Sequence, residues 1–167
     1  MRPIAAVALM MLIAPAWGGP DEPPHPALGA TMPEFTLFDL QQRMVRLSGI
    51  AEPVVVINFF AFWCDTWIGE LPQLRELVTR QDRLGFRLVA ISVDGAWTNQ
   101  LAEVCGEDGV PWPVLIDRDK RLSAELGLRH VPTIMVLDRS RVIRHVHEGY
   151  PGNTLLLRSI RDALSAN

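Results

Sequence analysis

Val54 to Phe60 (Val-Val-Val-Ile-Asn-Phe-Phe) is an almost unbroken run of β-branched and aromatic residues, and it constrains the chain more than any other segment. A strand with one wet face alternates apolar and polar residues; one without alternation is covered on both faces, as in a parallel sheet flanked by helices. Phe86 to Val93 repeats the pattern. From Asp65 the spacing turns helical, with Ile68, Leu71, Leu74 and Leu77 three apart, Val78 beside them, Pro72 predicting a kink and Gly85 as a stop. Thr98 to Glu107 reads as a helix, Pro113 to Ile116 as a short strand, and Lys120 to Leu126 as a short helix ending at Gly127. Thr133 to Leu137 and Val142 to His147 read as a hairpin, and Asn153 as the cap of a last helix through Leu164. Ahead of the main strand, Phe35 to Leu40 and Met44 to Leu47 form a further hairpin around Gln41-Gln42-Arg43. This order predicts an α/β fold: a central mixed sheet with helices on both faces and an N-terminal β-hairpin.

The first residues read as an address rather than as part of that domain. Arg2, the apolar run Ile4 to Ala14 and the small residues of Ala14-Pro15-Ala16 have the layout of a signal peptide over residues 1–18. As a helix the apolar run would span about 16 Å, short of the roughly 30 Å of a hydrocarbon core, so no stable membrane insertion is expected after cleavage. Residues 19–32 read as a Pro-rich linker in which His25 is solvated and not a ligand, and residues 33–167 as the domain. The expected location is periplasmic or secreted, where disulfides persist. The net charge of −3, without a long run of either sign, lacks the footprint of a nucleic-acid binder. A monomer is expected.

The chemistry concentrates at Cys64, placed between the end of a buried strand and the start of a helix. Unpaired backbone N–H groups and the positive end of the helix dipole favour a thiolate there, and thiolate is the nucleophilic form. Asp65 sets a negative charge beside the sulfur and opposes this. Phe62 and Trp63 offer apolar contact surface. His130 reads as a surface loop residue, and His145 and His147 share a strand face but lack a third partner, so no metal site and no cofactor are expected.

Val55-Val56-Ile57-Asn58-Phe59-Phe60-Ala61-Phe62-Trp63-Cys64, continuing to Glu70-Leu71-Pro72, resembles the active-site region of the thioredoxin superfamily, in particular its TlpA-like exported thiol-disulfide oxidoreductases with a redoxin-type domain. Pro33-Glu34-Phe35-Thr36-Leu37, Ser92-Val93-Asp94 and Val131-Pro132-Thr133 follow in the family's order. The resemblance implies a thioredoxin-like three-layer sandwich. It also implies that Asn58 takes the place of a buried acid, that Glu70 matches an acid near the site, and that Pro132, after Val131, is a cis-proline facing the sulfur. Its partners would be protein or small-molecule thiols and disulfides.

One departure is decisive. The family's C-x-x-C reads Cys64-Asp65-Thr66-Trp67 here, so the local dithiol cycle, in which a second thiol resolves the mixed disulfide, is closed to this chain. Cys105 is the other cysteine; its spacing from Leu101 and Val104 is that of a core-facing stripe, so it reads as a packing residue and not as a resolver. Glu70 lies about 240° around the helix from Cys64, so spacing alone leaves it either an exposed carboxylate or a group that manages protons. Three functions compete: an exported oxidoreductase with a single nucleophilic cysteine; a non-catalytic binding module whose docking surface is Phe62, Trp63, Trp67 and the Val131-Pro132 loop; and a one-cysteine thiol peroxidase, against which Ala61 counts because it replaces the hydroxyl residue of related peroxidases.

Overall fold

The computed structural model describes residues 24–95 and 109–166. The predicted helix Thr98 to Glu107, Cys105 within it and the proposed signal peptide lie outside these residues. Seven strands, β1 (Thr36–Asp39), β2 (Met44–Arg46), β3 (Val54–Phe60), β4 (Phe86–Ser92), β5 (Val114–Ile116), β6 (Thr133–Leu137) and β7 (Ile143–Glu148), form one mixed sheet. Their order is β2-β1-β5-β4-β3-β6-β7. β3 runs parallel to β4, and β4 to β5, while β6 is antiparallel to β3. The fold is thioredoxin-like α/β, with β3 between β4 and β6 as its unbroken apolar sequence requires.

Pleating divides β3 between two cores. Val54, Val56 and Phe60 point to a layer built by helix α1 (Asp65–Val78) and a C-terminal helix, while Val55, Ile57 and Phe59 point to the opposite layer with Met32, Phe35, Leu47 and Leu122. Leu122 belongs to the short helix α3 (Arg121–Glu125), and the C-terminal helix is α4 (Asn153–Ser165). No helix of the described residues is long and apolar enough to cross a membrane.

Four expectations are corrected. The helix from Asp65 does not continue to Gly85: α1 stops at Val78, and a separate turn of helix, α2 (Gln81–Leu84), precedes Gly85 at φ 75°. Its buried face is Trp67, Glu70, Leu74, Leu77 and Val78, while Ile68 is exposed. Steps of three fall short of a 3.6-residue turn and rotate about 60° each, so the series from Ile68 cannot hold one face; alternating steps of three and four can. The third concerns His25, which is buried rather than solvated: its Nδ1 accepts the Ala27 N–H at 3.2 Å. Around it, residues 24–32 lie against the domain, through Gly29 N–H to the Ile143 carbonyl and Met32 N–H to that of Arg141. Asn153, expected as a cap, is the first residue of α4, with Gly152 at the cap position.

Candidate active site

The site forms where β3 and β4 end together. Beyond Phe60 the chain turns through Ala61 to Cys64, closed by the Cys64 N–H on the Ala61 carbonyl at 3.1 Å. Cys64 caps α1 in extended conformation, and its own carbonyl accepts the Ile68 N–H at 3.3 Å. The turn is tied to the loop after β4. Phe62 donates its N–H to Asp94 Oδ2 at 2.9 Å, Ser92 donates its hydroxyl to the same oxygen at 2.7 Å, and Val93 N–H reaches the Phe60 carbonyl at 3.0 Å. Gly95 follows at φ 70°, where a Cβ would meet the Arg118 carbonyl at 3.2 Å, so glycine is needed twice over.

From the other side β6 delivers Val131. The Cys64 thiol is half-buried and faces the Val131 carbonyl, with Sγ 3.8 Å from the oxygen. The Val131–Pro132 peptide is cis. Two bonds hold this corner: Thr133 Oγ1 donates to the His130 carbonyl at 2.7 Å, and Gly149 N–H to that of Pro132 at 2.7 Å. Trp63 stands out from the surface at 65% exposure, and Asp65 is exposed in the first turn of α1. Cys64, Trp63, Asp65, Val131 and Pro132 thus lie together beyond the C-terminal end of β3.

The remaining candidates lie inside. Trp67 is fully buried and stacks on Phe60, which removes it from any docking surface and corrects that part of the binding-module reading. Glu70 is 3% exposed and is not a surface carboxylate. Neither of its oxygens has a hydrogen-bond partner, and the amide of Asn58, equally buried, is unpaired as well. Burial pushes the Glu70 carboxyl up to about 8, with the neighbouring Asn58 side chain pulling the other way. Tyr150 is near enough to feel that carboxyl; burial first, then Glu70, raises its phenol to about 12. Its hydroxyl donates to Asn153 Oδ1, and Asn153 Nδ2 donates to the Gln73 carbonyl at 3.0 Å, joining α4 to α1.

Residues 28–146 match the AhpC/TSA family over most of the chain. The chain belongs to the AhpC/TSA family. Within it, the chain is homologous to proteins named thiol-disulfide oxidoreductase ResA. That of Geobacillus thermodenitrificans (strain NG80-2) is 28% identical over 123 residues, which cover 74% of this chain and 70% of the relative. The thioredoxin-like protein YneN of Bacillus subtilis (strain 168) is 27% identical over 122 residues, covering 72% and 71%. In fold, the chain is similar to a crystal structure of a putative thiol:disulfide interchange protein DsbE from Chlorobium tepidum. Its TM-score is 0.72 at 24% identity, covering 83% of this chain and 98% of that one.

Among the described residues, no group of three or more His, Cys, Asp or Glu is placed to hold an ion. His130 is exposed. His145 and His147 are half-buried rather than on an open strand face: their rings lie parallel, His147 Nε2 is 3.0 Å from Ser159 Oγ, and His145 Nε2 is 3.8 Å from Asp162. Asp94 entered the sequence reading only within Ser92-Val93-Asp94, without a role of its own, and Tyr150 did not enter it. The signal for Asp94 was an acid directly after a buried strand, but its partner lies 32 positions away.

Proposed function

We propose that this protein is an exported thiol-disulfide oxidoreductase in which Cys64 is the single nucleophile. The observation that carries the reading is the half-open Cys64 sulfur at the start of α1, 3.8 Å from the Val131 carbonyl, with the position of a second thiol taken by a buried indole. The names of the ResA relatives support the same chemistry, and the leader-like residues 1–18 support export.

In the proposed reaction the Cys64 thiolate attacks one sulfur of a substrate disulfide R–S–S–R′. The Cys64–S–S–R bond forms, and R′–S⁻ leaves with the bond's electron pair and takes up a proton. With Trp67 in the place of a second thiol one helical turn on, an external thiolate attacks Cys64–S–S–R, frees R as a thiol and forms a new mixed disulfide. A second equivalent of that thiol restores Cys64 and carries away the oxidising equivalents as its own disulfide. Glu70 holds its proton near neutral pH in the buried wall beside Asn58, where it acts as a proton store during exchange. Trp63 supplies exposed apolar surface next to the sulfur for the substrate chain.

Purified protein incubated with a disulfide-linked peptide is expected to gain one peptide mass, to lose it on addition of excess small thiol, and to gain nothing as Cys64→Ser. Absence of any adduct on the wild-type chain would leave the binding-module reading, with Phe62, the exposed Trp63 and the Val131-Pro132 loop as its docking surface. Conversion of Cys64 to a sulfenic acid by peroxide, without disulfide exchange, would instead favour the peroxidase reading.

A further inference from the structure

Val131 has two neighbourhoods. Its carbonyl faces the Cys64 sulfur, and the same residue lines a cleft of about 340 Å³ that extends towards α3. The apolar lining of that cleft includes Val93, Leu128 and Val131; its basic lining is Lys120, Arg129 and His130. Among the described residues no acidic one lines it. Of the acids nearest in sequence, Asp94 Oδ2 is engaged with Phe62 and Ser92, Asp119 with Arg121, and Asp117, fully buried, with the Leu122 and Ser123 N–H groups, while Glu125 is exposed and outside the lining.

The basic groups are not equivalent. Arg129 already meets Glu148 through two charge-assisted bonds, at 2.9 and 2.7 Å, which offset much of its charge. Lys120 is exposed and enters no ion pair among the described residues. Its backbone is held: φ is 57°, its N–H donates to the Asp117 carbonyl at 3.1 Å, and its carbonyl accepts the Ala124 N–H at 3.0 Å. A fixed backbone thus presents an ammonium with no ion pair among the described residues to a cleft that is also lined by Val131, whose carbonyl faces the nucleophile.

We propose that this cleft selects thiols and disulfides carrying a carboxylate close to the reacting sulfur, with Lys120 as the specificity-determining cation. The inference rests on Cys64 being the nucleophile. The carboxylate comes either from a small acidic thiol or from an Asp or Glu flanking a cysteine in a peptide, and the chemistry at the cleft is the same. A cation lining the cleft acts on encounter and orientation, so its mark is a charge-dependent exchange rate that salt weakens.

Three aliphatic disulfides of matched length provide the test: 3,3′-dithiodipropionate (anionic), 2,2′-dithiodiethanol (neutral) and cystamine (cationic). The rate of adduct formation at Cys64 is followed by mass spectrometry in the wild-type chain and in Lys120→Gln and Lys120→Glu. Wild type is expected to react faster with the anionic than with the neutral probe, and the ratio to fall about threefold in Lys120→Gln and about tenfold in Lys120→Glu, with the difference shrinking at 0.5 M salt. The neutral probe's rate stays the same in all three chains. An anionic-to-neutral ratio unmoved by either substitution overturns the proposal, as does an equal fall in Arg121→Glu, a surface charge outside the cleft lining. No reaction with any probe would instead overturn the role of Cys64. Disulfide-linked peptides with Glu or Gln beside the cysteine form a second arm. A preference for Glu that Lys120→Gln abolishes points to a peptide source, and a preference confined to dithiodipropionate points to a small molecule.

Discussion

Trp67 lies flat against Phe60, with ring centroids 3.8 Å apart and planes 15° from parallel. The position one helical turn beyond the nucleophile therefore belongs to the core, and restoring a second cysteine there removes a fully buried indole. Large-to-small changes of this kind cost about 3–5 kcal/mol. Trp67→Cys is expected to unfold at a much lower urea concentration than wild type. Trp67→Phe, which keeps a stacked ring and gives up an Nε1 that has no partner together with part of the ring volume, should lose less. Equal urea midpoints for wild type and Trp67→Cys would show that the site collapses around the smaller residue.

Glu70 predicts a pH dependence with a definite sign. Its carboxyl rises from 4.5 to about 8 on folding, so between those values the folded chain keeps a proton that the unfolded chain releases. Its contribution to stability is complete below pH 4.5 and fades as pH climbs through 8. At about 1.36 kcal/mol per unit, the fade is of the order of 3–5 kcal/mol. The stability difference between wild type and Glu70→Gln, taken from urea unfolding at pH 5 to 8.5, should drift against wild type as pH rises. A flat difference would mean that the carboxyl ionises normally inside the fold.

Asp94 fixes the Phe62 amide two residues before Cys64, and Asp94→Ala leaves that N–H and the Ser92 hydroxyl without their acceptor. A loss of about 1–3 kcal/mol is expected, together with slower reaction of Cys64 with 2,2′-dithiodiethanol. Asp94→Asn keeps an acceptor oxygen and should recover most of the rate. Stopped-flow exchange on both variants separates the hydrogen bond from the charge.

Trp63 is the converse of Trp67. At 65% exposure its removal as Trp63→Ala should change stability by no more than about 0.5 kcal/mol. Exchange with a disulfide-linked peptide is expected to slow severalfold while exchange with 2,2′-dithiodiethanol does not. Equal slowing of both would place the indole's effect on the sulfur itself and not on substrate contact.

Strands with strong local patterns were legible: β3 and β6 fall on the residues their apolar runs mark, Val54–Phe60 and Thr133–Leu137. The placement of Cys64 between β3 and α1 was legible for the same reason. What escaped were features set by the third dimension. The buried face of α1 was read from Ile68, when Trp67 and Glu70 carry it, because both can be buried only against particular neighbours, Phe60 for one and Asn58 for the other. The break between α1 and α2 at Thr79 and Arg80 has no glycine or proline to announce it. Asp94 holds the Phe62 amide 32 positions away, and no local spacing encodes such a contact.

The segment ahead of the sheet has a practical bearing. Pro26 sits so close to Gly127 that a Cβ there would come within 2.9 Å of its ring, and His25, tucked in beside it, feels Glu148 and Arg129. Anything fused in front of residue 24 therefore leaves the domain next to the loop that brings Val131 to the sulfur. An affinity handle or a surface anchor at that end would crowd the approach to the reactive face, and immobilisation by the amino terminus would orient every molecule with that face towards its support.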